Sequence, residues 1–447
     1  MNILKGAHYA LKLSINLRLA TPLLLRSGQI GDLTDSSIEK TPDQPDQPDQ
    51  QHLLVNGYVW ASLLRRSLSR LSGRQQLAEQ IGKYQNKGGV SPLWCETTTS
   101  ELHATAVNPG ICIDRKWGTA KPGALFNDEL AIAGLPLTLR CIVFTPDEVT
   151  ATTWRVALLD ALRLVHDGIE NIGGGWTYGY GRLVVEDINY TILDLKVPER
   201  RKLLWRWEGF DWRKDALPAG QPKIVASATT IAVEAKIADG QLMAIKSSVF
   251  PLDASGFGKL PDTFVFRRNH LVEGIIHNSP VIPGKVIRQA LLSSSLERKW
   301  RSQGGETAAC LSTTHGKTHS EDERCKCRRC RWFGSTDAAG IIAVTDGHVI
   351  NPSFQVVSRV QLCEHSMQNM NLFSGEYLTG GEFSFKIIID ENRANDASEL
   401  LSEVTELLEE MKGESAPPGW YRMGSTASCT GQVQVNEYVI TRSTIDE

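Results

Sequence analysis

The sequence has no run of about 18 apolar residues, so no transmembrane helix is expected. Its opening stretch, MNILKGAHYALKLSINLRLA, lacks the apolar block and small-residue cleavage site of a signal peptide and alternates like a strand. There is no excess of basic charge either. The net charge of −3 argues against a free-standing nucleic-acid binder. Nine cysteines, odd in number and unevenly placed, exclude a regular disulfide framework. Four of them, Cys310, Cys325, Cys327 and Cys330, fall within 21 residues, the pattern of a metal site in a reducing cytoplasm. At 447 residues, with 41% hydrophobic and 22% charged residues, the chain has the make-up of a soluble globular protein of two to four domains.

What charge there is gathers in stripes. Arg65, Arg66, Arg70 and Arg74 mark one helical pattern, and Lys285, Arg288, Arg298, Lys299 and Arg301 mark another. A third group interleaves with the cysteines. Local basic faces on a near-neutral chain fit a subunit that grips a polyanion with one side and meets protein with the others. The densest glycine segment is Gly173-Gly174-Gly175-Trp176-Thr177-Tyr178-Gly179-Tyr180-Gly181-Arg182. Such a loop permits positive φ and close backbone approach. It follows a helical pattern (154–168) and precedes a strand pattern (183–190), so it is not a mononucleotide-binding loop, which opens a helix after a strand. A worn copy runs from Gly419 to Gly431. The tract Pro42 to Gln50 repeats Pro-Asp-Gln and is too polar to pack a core.

The element order repeats. In each half a strand is followed by a helix, two strands, a second helix and a last strand, the βαββαβ order of a ferredoxin-like unit. Segments 95–132 and 358–378 read as irregular. Asn56-Gly57 and Pro283-Gly284 precede the first helices 227 residues apart. Asp35-Ser-Ser-Ile38-Glu-Lys40 and Asp262-Thr-Phe-Val265-Phe-Arg267 share the pattern Asp, two residues, aliphatic, one residue, base, at the same offset. The span 196–221, rich in charge, Trp and Pro, reads as a linker or docking segment.

These features resemble the RAMP superfamily, as a tandem fusion of two crRNA-binding backbone domains of a type III CRISPR effector complex. Four segments carry the resemblance: Ile282-Pro283-Gly284-Lys285 and the helix after it, a thumb-like stretch from Ile113 to Phe126, the glycine loop, and Cys327-Arg328-Arg329-Cys330-Arg331-Trp332-Phe333-Gly334-Ser335. The resemblance implies an α+β fold of two RRM-like domains, 1–195 and 222–447, joined by the linker, with a thumb and a zinc-binding insertion at 303–335. It implies crRNA, target single-stranded RNA and other subunits of the complex as partners. It assigns Asp35 and Asp262 to metal-dependent cleavage of target RNA; Asp32 and Asp253 are the nearest rivals.

The chemistry is consistent with those assignments. Carboxylates suit Mg²⁺ or Mn²⁺, which are held by one or two of them plus phosphate oxygens. Cys310, Cys325, Cys327 and Cys330 supply the four thiolates of a closed structural zinc site, with His315 or His319 able to replace Cys310. Lys116, Trp117 and Lys121 of the thumb offer stacking and phosphate-contacting groups. Gly173, Gly174, Gly175, Tyr178, Gly179, Gly181 and Arg182, with Lys285 and Arg288, are the further expected RNA contacts. Two alternatives stand beside this reading. One is a structural crRNA-binding subunit without nuclease activity. The other is a metal-independent crRNA-processing endoribonuclease, for which His8, His52, His103 and His166 are available without forming a recognisable site.

Overall fold

The computed structural model describes residues 6–28, 34–41, 51–81, 91–113, 120–220, 222–224, 228–247, 261–302, 327–334, 339–362, 369–391, 396–412, 421–423 and 431–442. The first part contains β1 (Tyr9–Leu19), α1 (Gly57–Arg70), β2 (Leu93–Cys95), β3 (Thr105–Ile113), β4 (Ala120–Ala131), β5 (Pro136–Thr145), α2 (Glu148–His166), β6 (Leu183–Asp194) and β7 (Arg213–Asp215). Its five-stranded antiparallel sheet has the order β2-β5-β1-β6-β7, and β3 and β4 form a separate hairpin.

Alternation along β1 explains the layering. Leu11, Leu13, Ile15, Leu17 and Leu19 point to one side and are buried with α1 and α2. Helix α1 presents Trp60, Leu63, Leu64, Ser67 and Leu68 at helical spacing. Helix α2 starts at Glu148, earlier than its apolar pattern indicates, because the Asp147 carboxylate accepts the Thr150 N–H at 2.7 Å.

The second part contains β8 (Ala228–Ile237), β9 (Arg267–Val272), β10 (Ile275–Ile282), a helix α3 (284–302), α4 (Arg328–Phe333), β11 (Ile342–Val344), β12 (Gly347–Leu362), β13 (Asn369–Asp390), α5 (Ala397–Lys412) and β14 (Val433–Arg442). The middle of α3, Ile287–Ser293, is wound as a π-helix. The antiparallel sheet has the order β9-β10-β12-β13-β8-β14, with β11 also paired to β13. The segments expected to be irregular are in fact paired. Residues 105–131 hold the β3–β4 hairpin, and within 358–378 β12 runs to Leu362 and β13 starts at Asn369. The β9–β10 hairpin is additional to the elements expected from the sequence.

The chain is therefore a mixed α+β protein built on antiparallel sheets, with a large apolar core on each main sheet and a smaller cluster on the opposite face of the first. Several features recur in both parts. β1 slips register against β6 at Asn16/Leu17, as β8 does against β14 at Glu234/Ala235. A Cβ on Gly57 would overlap the Cys95 carbonyl, and one on Gly284 the Val344 carbonyl. Gly181, with φ of 72°, lies against the Ile172 carbonyl, and Gly431, with φ of 87°, against that of Met423.

Candidate nucleic-acid interface

The Asp-x-x-aliphatic-x-base segments lie along the two long hairpins. Asp35 donates its N–H to the Asn127 carbonyl at 2.8 Å, and its exposed carboxylate accepts the Asn127 N–H at 2.6 Å. Ile38 N–H reaches Glu129 at 3.1 Å, and Lys40 pairs with the same carboxylate at 2.8 Å. The second copy is wired alike. Asp262 N–H bonds the Ser374 carbonyl at 3.0 Å, and its exposed carboxylate accepts the Ser374 N–H at 2.5 Å and hydroxyl at 3.2 Å. Val265 N–H donates to Glu376 at 2.9 Å, and Arg267 grips that carboxylate with both arms at 2.7 Å. The aliphatic residue and the base thus have structural work, meeting a buried Glu on the hairpin strand. Each Asp fixes its own loop to the strand and still shows its carboxylate to solvent.

One cavity beside Asp35 is lined by Arg26, Ser36, Phe126 and Asp128. The next shares Arg26, Phe126 and Asp128 and extends to Gly173, Gly174, Gly175 and Tyr178. A third, reached through Gly173, includes Arg66 and Trp176. The three make a groove from the Asp35 carboxylate to the open side of the glycine loop. Gly174 is held there by its N–H bond to the Leu24 carbonyl at 2.9 Å. The more exposed groove cations are Arg26, 60% exposed at the side chain and 3.1 Å from Asp128, and Arg66, 46% exposed, paired with Glu170 at 3.1 Å and bonded to the Asn171 carbonyl at 2.6 Å; Arg70 also lines the third cavity but is mostly buried. Arg26 escaped the sequence reading because it belongs to no motif; only the fold brings it beside Phe126.

The other side of the glycine loop faces the second sheet. Gly179, with φ of 72°, would put a Cβ 2.6 Å from the Thr345 Cα. Tyr180 is buried, with its hydroxyl 3.4 Å from Arg268, which pairs with Asp346 at 3.3 Å. Burial pushes the Tyr180 phenol up to about 12. Arg288 lies over the Tyr178 ring and donates to the Phe333 carbonyl at 2.6 Å. Lys285 donates to Asn108 at 3.2 Å and to the Pro109 carbonyl, and burial pulls its ammonium down to about 8. Arg182 is buried, donating to the Gly168 carbonyl at 3.3 Å, and desolvation lowers it to about 10.

Of the expected RNA contacts, Lys285 and Arg288 lie where the two parts meet, bonded to Asn108 and over Tyr178, while Arg182 is bonded within the first part. Gly179 is buried against Thr345 and Gly181 against Ile172 of its own part, whereas Gly173 and Gly174 remain exposed. Lys116 and Trp117 lie outside the described residues; Lys121 is on β4, its side chain outside them. Cys310, Cys325, His315, His319, Asp32 and Asp253 also lie outside. Cys327 caps α4, its sulfur accepting the Cys330 N–H at 3.4 Å, and Cys330 is buried. Among the described residues no group of three or more His, Cys, Asp or Glu is placed to hold a metal, and no helix is long and apolar enough to cross a membrane.

With the Asp35 loop, the hairpin and the glycine loop joined in one groove, sequence comparison becomes informative. Residues 18–184 match the RAMP superfamily. The match supports RAMP membership for this part of the chain and spans β1 to the start of β6, including every groove residue named above. No curated protein matches the chain.

Proposed function

We propose that the chain is a crRNA-binding backbone subunit of a type III CRISPR effector complex, made of two ferredoxin-like RAMP domains, and that it cleaves target RNA at Asp35 and Asp262. The RAMP match over 18–184 supports RNA binding by the first domain. The observation that carries the rest is the equivalence of the two Asp sites. Each exposed carboxylate sits at the side of a long hairpin, tied by reciprocal backbone bonds, above a buried Glu that holds the following base. The strand orders β2-β5-β1-β6 and β11-β13-β8-β14 support the tandem plan, since both follow that of a βαββαβ unit.

The donor set at Asp35 fits a hard divalent cation. Asp35 and Asp128 line one cavity, and Mg²⁺ or Mn²⁺ needs one or two carboxylates alongside phosphate oxygens. When bound, such an ion supplies charge neutralisation at the reacting phosphate. The chain's own residues orient the RNA: Arg26, beside the exposed Gly173 and Gly174, receives phosphates, and Phe126, 40% exposed, receives a base. Cys327 and Cys330 would complete a structural zinc site together with Cys310 and Cys325, since four thiolates close a tetrahedral set and the Cys327 sulfur already accepts the Cys330 N–H.

A second reading has its own support. The bond from Asn127 to Asp35 gives that Asp a structural role with no chemistry, as in a binding subunit that does not cut. Asp35→Asn and Asp262→Asn separate the two, since the amide oxygen still accepts the backbone N–H. Loss of target cleavage with RNA binding retained supports the nuclease. Unchanged cut positions and rates in the assembled complex leave the binding subunit.

A further inference from the structure

The segment after β6 is folded onto the first sheet, on the face opposite α1 and α2. Leu204 is 1% exposed and packs with Ala10, Ile142, Phe144 and Leu193. Beneath it lies Lys12 of β1, fully buried. Its ammonium donates to the Leu204 carbonyl at 2.9 Å and to that of Arg206, and it sits 4.3 Å from the ring centres of both Trp207 and Phe210. A segment anchored so firmly has apolar burial available for its side chains.

Trp205 does not use it. It is 54% exposed, edge-on to Trp94 at 5.2 Å, so its position is fixed while much of its surface meets water. Arg200, Lys202, Arg206, Arg213 and Lys214 of the same segment are all exposed. Arg200, Arg206 and Arg213 make no ion pair among the described residues. Lys202 and Lys214 pair with Glu199 at 3.3 Å and Asp187 at 3.8 Å, with 73% and 84% of their side chains in solvent. Such solvated pairs hold a lysine weakly.

We propose that this face is a second RNA-binding surface, which takes single-stranded RNA by stacking a base on Trp205 and placing phosphates on Arg200, Arg206 and Arg213. A fixed aromatic with an unpaired guanidinium next to it in the chain, and further unpaired guanidinium groups on the same segment, is the chemistry that holds single strands without reading sequence. A protein partner fits less well, because charged residues are depleted from the cores of protein interfaces. The surface is separate from the groove: no residue of one lines the other.

The test uses the full chain, a short fluorescent oligouridylate and an oligoglutamate competitor. Trp205→Ala is expected to weaken binding by about 5- to 100-fold, the loss of one stacked base, while Trp205→Phe retains most of it. Arg206→Glu is expected to flatten the dependence of log affinity on log salt. Arg26→Glu, in the groove, is expected to leave a Trp205-dependent part intact, and ultraviolet crosslinking is expected to mark Trp205. Unchanged affinity in Trp205→Ala, crosslinks confined to the groove, no binding left once Arg26 is reversed, or equal competition by oligoglutamate would each overturn the proposal. Thermal unfolding of each variant verifies folding, and the exposure of Trp205 makes a change there small.

Discussion

Glu129 and Glu376 explain why the two Asp motifs carry a base at their sixth position. Each Glu is buried, at 8% and 1% exposure, and is neutralised by Lys40 or Arg267. The motif was legible in the sequence because its spacing repeats. Its buried partners were not, since they lie 91 and 111 residues away and pair only once the hairpins form. Arg267→Ala is expected to destabilise the protein by about 3–5 kcal/mol, the usual cost of stranding one partner of a buried ion pair. Denaturant unfolding measures it, and a loss under about 1 kcal/mol would show that solvent reaches Glu376.

At the scale of the element, the glycine loop has two faces with different demands. Gly179 needs positive φ and contact with Thr345, so Gly179→Ala is expected to cost roughly 1–3 kcal/mol in strain alone. At Gly174 an added Cβ meets nothing closer than 3.6 Å, and Gly174→Ala is expected to change stability by less than about 0.5 kcal/mol. Comparing the two melting temperatures checks the assignment of faces. The sequence marked this loop by composition but could not say which side packs, because Val344 and Thr345 come from the other part of the chain. The hairpins were hidden for a related reason. Pro109, Gly110, Pro122 and Gly123 interrupt the alternation that identifies strands, and cross-strand pairing overrides the local preference.

Across the whole molecule, buried polar contacts join the two parts, alongside Leu271 of the second packed against the core of the first. Arg70 links Glu170 of the first part to Asp390 of the second, at 2.8 Å from the latter. Near the Arg268–Asp346 pair, the His270 ring on β9 is close to both His277 on β10 and His348 on β12. Burial holds His270 and His348 below the ordinary histidine value of 6.5, against the opposing pull of a backbone hydrogen bond at His270 and of Asp346 at His348. The unfolded chain therefore binds more protons than the folded one just below pH 6.5. Stability is expected to fall as pH drops through that value and to level off once the folded rings protonate. Melting temperatures between pH 8 and pH 5 test this, and His348→Gln is expected to shrink the drop.

The repeat of Asp sites makes the account quantitative at the level of products. The decisive measurement is the pattern of target-RNA fragments from the assembled complex carrying Asp35→Asn, Asp262→Asn or both, with crRNA and target binding measured alongside. The predicted result is loss of a different cut in each single variant and of both cuts in the double, at unchanged RNA affinity. The same fragments at the same rates in the double variant would contradict it.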